Sequence, residues 1–118
     1  MSEKYILLSG RTASGKTEMI VAYANMHPQA TLILSQEYKE EWIQEHRKLD
    51  KDVKVVENLD DIDITSFETI CIDYIELFNK KYVDKLIADL MKTDIRIIVA
   101  SNMKKETFEI HNVFAVNE

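Results

Sequence analysis

The chain has 118 residues, enough for one domain with a real core and little room for accessories. Its formal net charge of −6 is spread along the chain, which opposes strong unaided binding to DNA or RNA, where cationic residues must displace counterions. A single cysteine leaves no disulfide framework, and no stretch reads as a signal peptide or membrane span, so a reducing, cytoplasmic location is expected.

The first apolar run, residues 5–9, reads as a strand buried on both faces. It leads into Gly10-Arg11-Thr12-Ala13-Ser14-Gly15-Lys16-Thr17, a complete G-x-x-x-x-G-K-[ST] phosphate-loop pattern that uses both glycines of the chain. Such a loop works when a strand aims it and the next helix points free N–H groups at the anion. A helix is expected over residues 17–27, stopped by Pro28. In this reading Gly10 and Gly15 let the backbone curl around the phosphates, Lys16 reaches the β/γ-phosphates, and the Thr17 hydroxyl holds Mg²⁺.

A second strand is expected at 31–35. The next helix, near 39–49, spaces Trp42, His46 and Leu49 four and three apart, as one apolar stripe. A short strand at 53–56 and a polar, acidic loop or turn of helix at 57–67 follow. The fourth strand, 69–73, ends in Ile70-Cys71-Ile72-Asp73. A helix over 77–91 places Val83, Leu86, Ile87, Leu90 and Met91 on one face, a fifth strand spans 95–101, and a last one is expected at 113–116. Strands alternating with helices predict βαβ units, a mostly parallel sheet and a three-layer α/β sandwich with right-handed crossovers.

The ligand crevice of such a sheet lies at the C-terminal ends of its strands, so Asp73 is expected to face Thr17 and share the Mg²⁺ with it. The plainer alternative is an aspartate that merely ends a strand. Two carboxylates compete to orient or deprotonate the attacking water: Glu37, directly after the second strand, and Glu76, three residues past Asp73. Glu37 is preferred, because Glu76 has a simpler explanation as a carboxylate favoured near a helix N-terminus. Asn102, or Ser101, at the end of the fifth strand offers a polar sensor for the γ-phosphate, though both residue types are also common in turns.

Other features have plain structural explanations. Cys71 lies inside an apolar run and reads as a packed strand residue. Lys80, Lys81 and Lys85 read as a solvated helix face, and His27, His46 and His111 have no metal-ligand spacing. Trp42 is expected in a core or half-buried packing role.

The segments 10–17, 32–38, 71–77 and 97–102 together resemble the ATPase core of the RecA superfamily, most of all its replicative-helicase (DnaB-like) branch. That branch carries a phosphate loop, a glutamate after the second strand, an Asp-Tyr-Leu-Gln-Leu-type segment and a polar residue ending the next strand. The resemblance implies Lys16 on phosphate, Thr17 and Asp73 on Mg²⁺, Glu37 as catalytic base and Asn102 as sensor. It also implies that strand 95–101 lies between strands 5–9 and 69–73. Asn102 stands where the helicases usually carry glutamine, and Lys104-Lys105 replace a segment often bearing arginine. The DNA-binding loops, the trans-acting cationic finger and the N-terminal collar of those enzymes have no counterpart in these residues. The expectation is therefore a minimal Mg²⁺-dependent ATPase or ATP-binding protein acting with a protein or nucleoprotein partner, or by self-association. Two alternatives stand beside it: a non-catalytic nucleotide-binding interaction module, and a small phosphate-loop kinase.

Overall fold

A computed structural model describes residues 5–9, 15–36 and 39–101. Along the chain run β1 (Tyr5–Ser9), α1 (Lys16–Met26), β2 (Thr31–Ser35), α2 (Glu40–His46), β3 (Lys54–Val56), β4 (Thr69–Asp73), α3 (Lys80–Met91) and β5 (Arg96–Ser101). Single 3₁₀ turns lie at Ile64–Ser66 and Ile75–Leu77. The strand expected at 113–116 lies outside the described residues.

The five strands form one parallel sheet in the order β1-β5-β4-β2-β3, with β5 between β1 and β4 as expected. Every residue of β2 and β4 is buried, which is why these strands read as continuous apolar runs rather than alternating ones. Alternate strand residues feed two separate cores. Leu7, Leu32, Leu34, Ile70, Ile72, Ile97 and Val99 pack with Val83 and Leu90 of α3. Leu8, Ile33, Cys71, Ile98 and Ala100 pack on the other side with Ile20, Val21 and Ala24 of α1 and Ile43 of α2. The result is a three-layer sandwich.

The helices differ from expectation at their edges. In α1 the helix begins at Lys16 and is capped by His27, ahead of Pro28. Leu77 belongs to a 3₁₀ turn, and α3 starts only after Asn79, whose side chain accepts from the N–H groups of Lys81 and Tyr82. That cap satisfies two otherwise orphan donors and sets the helix start. Within α3, Val83 and Leu90 are buried and Leu86 and Ile87 pack against the core, but Met91 is exposed.

The stripe expected on α2 is not its inner face. This seven-residue helix ends at His46, so Leu49 is not on it, and Ile43 is the residue that reaches the core. Trp42 is 38% exposed and stacks on His46 at 4.5 Å between ring centroids. The Trp42, His46, Leu49 spacing fails because the chain leaves the helix before its third member. Among the described residues, no helix is long and apolar enough to cross a membrane.

Candidate functional site

Parallel register brings the C-terminal ends of the strands level. Ser35 pairs with Asp73, and Ser9 with Ser101. The head of α1 opens at the same end. Gly15 caps that helix with φ 89, a left-handed conformation that side chains other than glycine's resist. Among the described residues, a Cβ at Gly15 would meet the Glu18 Oε2 at 3.5 Å, an ordinary contact, so the backbone conformation is the constraint.

Lys16 and Thr17, the first residues of α1, are turned inward instead of toward solvent. The Thr17 hydroxyl donates to Asp73, 3.3 Å from Oδ1 and 3.4 Å from Oδ2. Both distances exceed the ordinary O–H···O value of about 2.7–2.8 Å, so the contact is loose. Lys16 is only 2% exposed, and its Nζ lies 5.8 Å from the centre of the Tyr74 ring. Burial pushes its ammonium below the usual lysine value, while the Glu76 and Asp73 carboxylates act in the opposite direction. Asp73 is 1% exposed. A buried carboxylate, a buried ammonium and a buried hydroxyl thus converge at a helix N-terminus, where the helix dipole favours anions.

The turn after β4 extends the cluster. Tyr74 has φ 60, a conformation that costs a non-glycine residue about 1–2 kcal/mol. This kink ends the strand abruptly, sets the Tyr74 ring near Lys16 and carries Glu76 back over the sheet. There the Ser101 hydroxyl, at the end of neighbouring β5, donates to Glu76 Oε2.

The donor set fits Mg²⁺. The ion takes hard oxygen ligands, keeps several waters and needs one or two protein carboxylates rather than a full cage. Adjacent oxygens of an octahedral shell with ligand distances near 2.1 Å are ~3 Å apart, and the Thr17–Asp73 separations of 3.3 and 3.4 Å are close to that. Among the described residues, no group of three or more His, Cys, Asp or Glu side chains is placed to hold a metal ion.

Of the expected site residues, Gly15, Lys16, Thr17 and Asp73 come together at one end of the sheet. Gly10, Arg11, Thr12, Ala13 and Ser14, the preferred base Glu37 and the preferred sensor Asn102 lie outside the described residues. Glu76 and Ser101, the second choices for base and sensor, are bonded to each other. Sequence reasoning missed that pairing and the part played by Tyr74. The adjacency of β4 and β5 was the signal for the first; a non-glycine residue at positive φ leaves no mark in the sequence.

A cleft of about 830 Å³ opens at the opposite end of the strands, lined in part by Tyr23, His27, Glu68, Asp94 and Arg96. Its size does not make it the better site for a phosphate. The Arg96 guanidinium donates to the Tyr23 hydroxyl and lies over that ring, and the Glu68 and Asp94 carboxylates repel an anion. Cys71 is fully buried, and burial pushes its thiol well above the ordinary range, consistent with an inert packed residue.

No protein-family model matches this sequence, and no curated protein does.

Proposed function

We propose that the chain binds ATP with Mg²⁺ at this site and is a slow ATPase that couples its nucleotide state to a protein or nucleoprotein partner. One observation carries the reading: Lys16 and Thr17, buried at the head of a helix behind a left-handed glycine, meet the buried Asp73 at the end of a central strand. These residue types supply a point charge for the β/γ-phosphates, a hydroxyl and a carboxylate for the metal, and helix N–H groups for the remaining phosphate oxygens.

Bound Mg²⁺ would neutralise charge on the phosphates, held by Thr17 Oγ1 and the Asp73 carboxylate. Lys16, being little exposed, feels less solvent screening in its attraction for phosphate than a surface lysine would. In hydrolysis a water oxygen attacks the γ-phosphorus, the bond to the β,γ-bridging oxygen breaks, and ADP and phosphate leave. Glu37 is the carboxylate assigned to orient that water and take its proton.

The deciding measurement is calorimetric titration of Mg-ATP into the native chain and Lys16→Ala. Loss of a charge-assisted contact of about 1.5–3 kcal/mol should lower affinity at least ~tenfold, with the circular dichroism of the folded chain unchanged. Equal affinity in the two proteins would remove the site assignment.

A further inference from the structure

Glu76 has surroundings that suit an anion better than a surface carboxylate. Its Oε2 accepts from the buried Ser101 hydroxyl, and it lies close enough to the buried Lys16 ammonium to help keep that group charged. An ammonium at a helix head and a hydroxyl at a neighbouring strand end are the donors that a terminal phosphate would use. The carrier of this carboxylate is small. Glu76 is exposed and sits in the single 3₁₀ turn Ile75–Leu77, directly after the kink at Tyr74. The turn is three residues long and is tied to the core through Ile75, whereas Asp73 is held in register opposite Ser35 of β2, so of the two carboxylates Glu76 is the one that can move.

We propose that the Glu76 carboxylate competes with the terminal phosphate of a nucleoside triphosphate for the Ser101 hydroxyl and the Lys16 ammonium, so that triphosphate binding displaces the Ile75–Leu77 turn. The inference rests on the nucleotide reading above and adds a regulatory element to that site. A diphosphate leaves the Ser101–Glu76 bond in place, because its last phosphorus stops one position short. A triphosphate brings a dianionic group to the same donors, and two anions cannot share them without repulsion. Glu76 therefore lowers affinity for the triphosphate selectively. Its displacement also moves the chain that leads through Leu77 and Phe78 into α3. Leu77 is exposed and Phe78 is buried in the α3-side core, so the movement links the nucleotide's terminal phosphate to both surface and interior.

The test uses Glu76→Gln, which keeps the side chain's shape and removes its charge. The native chain and the variant are titrated in Mg²⁺ with ADP and with the non-hydrolysable β,γ-imido analogue of ATP. Affinity of the variant for the analogue should rise ~fivefold or more, as expected for removing one unit charge near the bound phosphate, with ADP affinity changed less than ~twofold. An equal rise for both nucleotides would overturn the proposal, since it would report only general repulsion. Unchanged or weakened analogue binding would also overturn it, the latter by making Glu76 a ligand-holding residue. Each of those outcomes leaves the nucleotide reading intact. Failure of both proteins to bind either nucleotide would overturn the nucleotide reading and this inference together, and binding of the analogue by the variant alone would support both.

Discussion

Gly15 and Tyr74 are the two backbone positions on which the candidate site turns, and only one of them announces itself in the sequence. At Gly15 the φ of 89 is the requirement. Gly15→Ala should therefore destabilise the protein by about 1–2 kcal/mol, the left-handed penalty for a residue with a Cβ, even though among the described residues the added methyl meets no close contact. Urea denaturation of the two proteins checks this, and a neutral result would show that the loop relaxes at no cost. Tyr74 adopts a similar conformation with a bulky side chain, and its sequence context, an aspartate before and an isoleucine after, gives no hint of it. The local pattern thus predicts Gly15, Lys16, Thr17 and Asp73 directly, since strand, glycine, helix start and strand-end carboxylate each follow local rules. The Ser101–Glu76 bond follows from no local rule. It exists because β5 inserts beside β4, and strand order is a property of the whole sheet.

At the scale of elements, the strands were more legible than the helices. Burial on both faces forces a strand to be apolar at every position, so β2 and β4 have sharp ends in the sequence. A helix in an outer layer is held by part of one face, and its pattern tolerates errors of phase. That is why Ile43 rather than Trp42 seats α2. It is also why the helical pattern expected from residue 77 gains its true start only from a side-chain cap. Asn79 accepts from two backbone N–H groups and fixes where α3 begins. Asn79→Ala should cost about 1 kcal/mol in thermal or urea unfolding, within the usual 0.5–2 kcal/mol of a lost N-cap. Since α3 begins shortly after the Ile75–Leu77 turn, the same change should loosen hydrogen-exchange protection in the first turn of that helix before elsewhere.

For the whole molecule, the distribution of cations sets the expected rate. Charge developing on the departing γ-phosphoryl group must be neutralised, and an arginine delivered to the site contributes ~10³–10⁵ in rate. The chain has three arginines. Arg47 is paired with Glu18 at 2.6 Å, and Arg96 bonds to the Tyr23 hydroxyl at the far end of the strands. Arg11 lies outside the described residues, as do Lys104 and Lys105, which lack the forked geometry of a guanidinium. Turnover by the dilute protein should therefore fall well below ~1 s⁻¹ and rise with protein concentration or with a partner that supplies a further cation. Steady-state phosphate release across a dilution series, read beside sizing data, tests this; fast turnover at high dilution would defeat it. Glu37→Gln should remove the residual turnover while leaving nucleotide affinity within ~twofold, as expected of a base that acts on water rather than on the phosphates. A surviving rate would reassign the base.

The place of β1 in the sheet has a consequence in time. Among the described residues its pairing partner is β5, the last of the described strands in chain order, so that Tyr5 lies against Ile97 and Leu8 against Ala100. Strands β2, β3 and β4 can begin to pair while the chain is still emerging, but β1 must wait until β5 has been made. Closing so long a loop sets an entropic delay, and folds dominated by such distant contacts form slowly. The helix head that carries Lys16 follows directly from β1, whereas Asp73 ends a strand from the middle of the chain. Among the described strands, pairing of β5 with β1 and with β4 is what fixes the strand behind the helix head in the same sheet as Asp73. A ligand that bridges the helix head and Asp73 would act as a clasp on that pairing, retarding its reversal and protecting the newly made chain while the sheet is least secure.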